Sequence, residues 1–263
     1  MRIAILGGGV MGETLAAGLL QRMEERPDIV VAEKRPDRAA ELQAALGVEL
    51  ADAPSAVEGA DVVILVVKPQ DMATLLSEVG PRVEPDAVVI SIAAGISTAT
   101  IEAALSRGGH VVRAMPNTPA IVGKAVTGIS GGASCGPEHV AAARGLLESV
   151  GMVVEVPEAL QDAVTAVSGS GPAYLFYLAE AMLDAALALG LDEATARAMV
   201  TGTLDGAATL LATSDSSARE LRAKVTSPNG TTAAATAVFD ELGLGRVVEA
   251  GIQAARNRSR ELS

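Results

Sequence analysis

The segment "RIAILGGGVMGETLAAGLL" (residues 2–20) constrains the fold of this chain more than any other. A short apolar run leads straight into Gly7-x-Gly9-x-x-Gly12, and apolar positions at helical spacing follow. This is the strand–turn–helix opening of a dinucleotide-binding sheet domain. Each glycine has its own physical reason. Gly7 permits the tight turn, Gly9 leaves no side chain between backbone and pyrophosphate, and Gly12 lets the helix pack on the strand. Val10 and Met11 lie between them, where the free N–H groups of the helix start face the anion. A bare glycine pattern of this kind is weak evidence, whereas both flanks together make it specific.

The same texture repeats through the first half. "DIVVAE", "DVVILVV", "AVVISIA" and "HVVRAM" are short β-branched runs bounded by Gly, Pro, Asp or charged residues. Helical patterns over Thr14–Glu24 and Pro36–Leu46 lie among them. Continuous apolar strands alternating with helices predict an α/β fold, a doubly wound parallel sheet of Rossmann type, over residues 1–156. From Pro157 no strand pattern returns. Leu175, Leu178, Met182, Ala185 and Leu189 recur at helical spacing, as do Met199, Val200, Thr203, Leu204, Ala207 and Leu211, so residues 157–263 are expected to form an all-helical second domain. The four aromatic residues, Tyr174, Phe176, Tyr177 and Phe239, all fall there. A helical layer this apolar needs more cover than one sheet domain supplies, which predicts a homodimer through the C-terminal helices; the alternative is a monomer whose helices pack on its own first domain.

Composition removes several classes of function. The most apolar stretch, "AYLFYLAEAMLDAALALG", is interrupted by Glu180 and Asp184, and the N-terminus runs directly into a strand, so neither a membrane span nor an export signal is expected and the protein is read as cytoplasmic. The single cysteine, Cys135, cannot form an internal disulfide and reads as an incidental loop residue. No Cys/His cluster has metal-ligand spacing, and His110 and His139 are assigned no role. The net charge is −12 and neither half is basic, which argues against a nucleic-acid partner.

The choice of dinucleotide turns on "VVAEKRPDR". Glu33 lies about 20 residues past Gly12, where an acid accepts hydrogen bonds from a ribose hydroxyl and favours NAD. Lys34 and Arg35 follow at once, and a guanidinium there can clamp the 2′-phosphate of NADP. A solvated charged turn is the plainer reading. We read the cofactor as NADPH, with Arg35 its better ligand and NADH the alternative. Val67, Lys68 and Pro69, then Ala93, Ala94 and Gly95, then Met115, Pro116 and Asn117 each end a strand at the carboxyl edge, where such sheets bind ligands. Lys68, a lone lysine before proline, reads as a structural or phosphate-side charge rather than a general acid.

"VILVVKPQDM" (63–72), "SIAAGIS" (91–97), "VRAMPNTPAIVGKA" (112–125), "DAVTAVSGSGPAYLFYLAEAM" (162–182) and "VTSPNGTTAAATAVFDE" (225–241) together resemble the Δ1-pyrroline-5-carboxylate reductase family over essentially the whole chain. The last segment is the most diagnostic. One departure is Asn229, where members commonly have a second glycine; Asn tolerates left-handed backbone, so the loop is expected to keep its shape.

The resemblance implies reduction of a cyclic imine to L-proline, the last step of proline biosynthesis, with hydride from a nicotinamide dinucleotide. It implies that Ser227, Gly230, Thr231 and Thr232 hold the substrate carboxylate, with Thr232 near the ring nitrogen as the catalytic residue. It also implies that Ser170 and Gly171 face the substrate, and that Val67 to Pro69, Ala93 to Gly95 and Met115 to Asn117 line the nicotinamide and ribose. Members pair through intertwined C-terminal helices, often in rings of dimers, with the substrate loop meeting the cofactor domain at the dimer interface. Read from the residues alone, Ser227-Pro228 is a cap and first-turn residue for a helix expected over Ala233–Leu242, and Ser170 and Gly171 either face the active site or only shape a kink. Two other functions compete. A β-hydroxyacid dehydrogenase-like oxidoreductase would share the opening motif and a helical second domain, and a non-catalytic NADP-binding sensor would turn nothing over; "TSPNGTT" argues against both.

Overall fold

The computed structural model describes residues 1–262, which form two compact units: Met1–Ser170 together with the last turns of the chain from Ala255 onward, and Gly171–Ala254. The first unit is built on an eight-stranded sheet of order β3-β2-β1-β4-β5-β6-β7-β8. Strands β1 (Arg2–Leu6), β2 (Asp28–Ala32), β3 (Glu49–Leu50), β4 (Val62–Leu65), β5 (Val88–Ser91) and β6 (His110–Met115) are parallel. Between them run α1 (Val10–Arg22), α2 (Pro36–Leu46), α3 (Ala53–Val57), α4 (Pro69–Val79) and α5 (Thr98–Glu102).

Strand alternation explains the two covered faces. Ile3, Ile5, Ile64 and Ile90 point to one layer with Leu15 and Leu19 of α1, while Ala4, Leu6, Val63, Leu65 and Val89 point to the other with Leu75, Leu76 and Val79 of α4. Both faces are covered, so the central positions of these strands are mostly apolar and the strands read as near-continuous runs. Pro36 and Pro69 occupy first-turn positions of α2 and α4, where a missing N–H costs nothing, and Gly47 ends α2 at φ 65°. Helix α1 starts a turn earlier than its apolar periodicity predicts, at Val10 rather than Thr14.

The sheet is not wholly parallel. Strand β7 (Ala125–Gly131) pairs antiparallel with β6, and β8 (Gly151–Glu155) pairs parallel with β7. The link from β6 to β7 is only a 3-10 turn at Thr118–Val122, too short for a crossover helix, so the chain must reverse. Helix α6 (Pro137–Leu147) then connects β7 to β8. The two histidines, far apart in sequence, stack with ring centroids 3.4 Å apart, and His139 Nδ1 accepts the Gly136 N–H at the start of α6. The Cys135 thiol donates to the Val111 carbonyl, and burial pushes its pKa up.

The change of texture at Pro157 marks the end of the sheet, whereas the first compact unit runs on through α7 (Gln161–Val164) and a π-turn, Thr165–Gly169, to Ser170. The second unit carries α8 (Gly171–Ala188), α9 (Glu193–Thr213), α10 (Ala218–Lys224), α11 (Thr231–Glu241) and the start of α12 (Leu244–Glu261). Local chemistry fixes the helix starts: Asp192 caps α9 through the Thr195 amide, and Ser217 and Glu220 form a reciprocal capping box on α10. The only buried apolar side chains in this unit are Ala196 and Val200. Leu175, Phe176 and Tyr177 are 57%, 67% and 75% exposed, so in a single chain these helices lack a core of their own. No helix among the described residues is long and apolar enough to cross a membrane. The last turns of α12 return to the first unit, where the Ser259 hydroxyl donates to Asp162 at 2.7 Å.

Candidate functional site

Parallel pairing brings the ends of β1, β2, β4, β5 and β6 to one edge of the sheet, and the strand order reverses between β1 and β4. That reversal opens the crevice in which such folds hold ligands. Gly7 sits there at φ +121°, its amide donating to Ala32, and a Cβ on it would lie 2.5 Å from the Val66 carbonyl. A Cβ on Gly12 would lie 2.0 Å from the Gly7 carbonyl. These two glycines are demanded by packing alone. Gly9 differs: it precedes α1 with ordinary φ −66°, and a Cβ there would meet nothing within 4 Å. The space it leaves is not used by the protein, and no side chain caps the first turn of α1. An open cradle under uncapped helix N–H groups fits a dinucleotide pyrophosphate.

The adenosine end of the crevice is more crowded than the sequence implies. Glu33 accepts the Gly8 amide at 3.1 Å, and its other oxygen accepts the Arg35 amide at 3.0 Å and Arg35 Nε at 3.3 Å. Burial works to raise the Glu33 pKa, but the hydrogen bonds and charge of Arg35, with the Gly8 amide, outweigh it and hold the carboxyl below its ordinary range. Lys34 and Arg35 are exposed. Sequence reasoning missed Arg38. Its Nε donates to the Gly8 carbonyl at 2.9 Å, and its terminal nitrogens pair with Glu13 and Glu41, which ties α2 to the glycine turn. Nothing in a linear motif marks this residue, since its partners come from three different segments.

Of the predicted nicotinamide-side residues, exposed Lys68 precedes α4, Ala93 and Gly95 are buried with Gly95 at φ +77°, and Val67, Ala94 and Met115 are partly buried. Val10 is exposed at the crevice and Met11 packs on the core. Asn117 is buried, with its side chain committed within the protein. Oδ1 accepts the Val126 amide at 2.9 Å and Nδ2 donates to the Ser168 carbonyl at 2.9 Å. Met115 Cε stands 2.9 Å from where a Gly169 Cβ would be. Ser170 closes the π-turn by donating its amide to Thr165 at 2.8 Å, and Gly171 opens α8.

The second glycine-marked loop lies in the second unit. Ser227 to Gly230 form a turn closed by the Gly230 amide on the Ser227 carbonyl at 3.0 Å. Asn229 takes φ 61°, the left-handed conformation its position requires. Helix α11 starts at Thr231 after Gly230 and has no side-chain cap. The reading of Ser227-Pro228 as cap and first-turn residue is therefore corrected: the turn in between sets Ser227 too far back to cap. A Cβ on Gly230 would lie 2.5 Å from Ser227 Oγ, so the glycine makes room for that hydroxyl. The uncapped amides of Thr231 and Thr232, at the positive end of an 11-residue helix and beside hydroxyls, suit a carboxylate.

Residues 158–262 match the family model described as pyrroline-5-carboxylate reductase dimerisation, and residues 2–95 match one described as NADP oxidoreductase, coenzyme F420-dependent. The chain is 40% identical to a pyrroline-5-carboxylate reductase of Mycobacterium tuberculosis over 99% of its own length and 96% of the relative's. Its fold is similar to that of a pyrroline-5-carboxylate reductase from Coxiella burnetii, with TM-score 0.93, 34% identity, and coverage of 100% and 98% of the two chains. A Plasmodium falciparum pyrroline carboxylate reductase solved with NADP bound shares the fold at TM-score 0.87 and 22% identity, over 100% and 98% of the chains.

Proposed function

Since this chain belongs to the pyrroline-5-carboxylate reductase family, we propose that it reduces Δ1-pyrroline-5-carboxylate to L-proline with NADPH, the last step of proline biosynthesis. The observation that carries this reading is the pairing of two prepared anion cradles in one chain, one at Gly9 and one at Gly230–Thr232. Bound NADPH would supply the hydride that adds to the imine carbon, and a proton completes the amine at nitrogen.

The protein's part is binding and orientation. Gly7, Gly9 and Gly12, with Val10 and Met11, hold the pyrophosphate, and Lys34 and Arg35 meet the 2′-phosphate. Val67, Lys68, Pro69, Ala93, Ala94, Gly95, Met115 and Pro116 line the nicotinamide side. Ser227, Gly230, Thr231 and Thr232 hold the substrate carboxylate, with Ser170 and Gly171 on the same substrate. Thr232 delivers or relays the proton to the ring nitrogen. Replacing it with valine should lower the turnover number; an unchanged value would leave it a positioning role only.

The chain assembles with copies of itself through the helices of residues 158–262, which the exposed apolar side chains of α8 favour. Within this reading the unit is a homodimer, rings of dimers are its higher form, and the location is cytoplasmic. The deciding experiment follows NADPH consumption by absorbance with the imine present and then omitted, and repeats it with NADH. Imine-dependent loss with proline as product supports the proposal. No loss in protein that binds NADPH rejects it and favours a hydroxyacid oxidoreductase or a sensor.

A further inference from the structure

We propose that Asn117 is a positioning residue that ties the carboxyl end of β6 to the π-turn Thr165–Gly169 and so fixes the segment carrying Ser170; its effect on imine reduction rests on the reading above. The motive lies in backbone accounting. In a continuing helix the Ser168 carbonyl would accept the N–H of residue 172, but that residue is Pro172 and has none. The π-turn itself is closed by the Ser170 amide on the Thr165 carbonyl, one residue wider than a helical turn. Asn117 Nδ2 supplies the missing donor at 2.9 Å from 51 residues away.

The other half of the same amide holds the start of β7 through the Val126 amide, so the carboxamide bridges strand, hairpin return and helix. Two residues earlier, Met115 fills the space that a side chain on Gly169 would need. "MPN" (115–117) and "SGSGP" (168–172) thus form one physical unit, in which Asn117 bonds the carbonyl that Pro172 cannot serve and Met115 fills the space beside Gly169. Two donors and two acceptors paired in this way, around a buried side chain, leave the turn one arrangement rather than several. Single-turn π-segments of this kind are frequent at functional sites, where they aim a side chain. Here the aimed residue is Ser170. The Asn117 side chain therefore acts through the turn and not by touching the dinucleotide.

Asn117→Asp separates the two bonds: the carboxylate still accepts the Val126 amide but offers no donor to Ser168. Three readouts apply to the full-length protein. Hydrogen–deuterium exchange across residues 165–170 should quicken at least about tenfold, as expected for a lost buried bond. Turnover should fall about 10- to 100-fold, as for a displaced reacting geometry. The NADPH dissociation constant, from fluorescence titration, should stay within about twofold, as expected where no cofactor contact is removed. Unchanged exchange overturns the proposal whatever the substrate is, and so does a loss confined to NADPH affinity, which would make Asn117 a cofactor ligand. Absence of imine reduction by the wild-type protein would reject the functional reading, leaving exchange to decide the tie. A second variant guards against misfolding. Pro172→Ala gives residue 172 its own N–H, so Asn117→Ala should be milder in that background than alone; strictly additive effects on exchange overturn the tie.

Discussion

The amide of Gly8 donates to the carboxylate of Glu33 at 3.1 Å, so an acid at the end of β2 is fastened to the turn that faces the dinucleotide. The same carboxylate holds Arg35 by its backbone and its Nε. A 2′-phosphate reaching for Arg35 therefore meets a competing anion already in place. Glu33→Gln should raise the NADPH-to-NADH ratio of kcat/KM by about tenfold, or about 1.4 kcal/mol, and Arg35→Ala should lower it. Identical ratios in wild type and Glu33→Gln would show that the carboxylate does not select the cofactor.

Glu33 also contributes to the acid limb of stability. Its folded pKa lies below the ordinary 4.5, so the stabilisation is complete well above that value and is lost as pH falls through it toward the folded pKa. The unfolding temperature of wild type should exceed that of Glu33→Gln near neutral pH, and the gap should close as pH falls below 4.5. A gap independent of pH would assign the difference to packing.

Gly7 and Gly9 fail for different reasons. Gly7→Ala puts a Cβ 2.5 Å from the Val66 carbonyl at φ +121° and should destabilise the fold by more than about 1 kcal/mol. Gly9→Ala adds a methyl to open space at φ −66°, so the unfolding temperature should hold while KM for NADPH rises about tenfold or more. Thermal scans and cofactor titration on the pair check both halves; a Gly9→Ala protein with unaltered NADPH KM would remove the pyrophosphate from that cradle.

Gly230→Ala collides with the Ser227 hydroxyl at 2.5 Å and should push it out of the turn. The expected result is an imine KM raised about tenfold, the order of one lost charge-assisted bond, with NADPH KM unchanged. Equal rises in both constants would argue for a general loosening.

Phe176, 67% exposed on α8, should tolerate no charge if a second copy covers it. Phe176→Asp should convert the oligomer to monomer in light scattering and lower the unfolding temperature. An unchanged molar mass would place the interface elsewhere.

The first five apolar runs, the helix at Pro36–Leu46 and the glycine turn are legible in the sequence because dry parallel strands and close approaches admit few residue types. Strand β7 escaped because "AVTGISG" mixes two glycines with hydroxyl residues, and β8 because it is largely exposed at the sheet edge, where no apolar run is required. The left-handed Asn229 follows from its type and place, whereas the true start of α11 depends on a turn whose length no pattern fixes. Arg38 and the two bonds of Asn117 join residues whose proximity only folding creates. His139 belongs with them: isolated as a letter, it accepts an amide at the head of α6 and stacks on His110.

The bond from Ser259 to Asp162 spans 97 residues and closes within the first unit, although the whole of the second lies between its ends in the chain. During synthesis the nucleotide-fold portion therefore emerges early but cannot make this closure until α12 has left the ribosome. Such distant closure is slow relative to local helix formation. The nascent protein must wait with an unlatched α7, and a truncation before Ser259 would remove the latch while sparing both glycine loops.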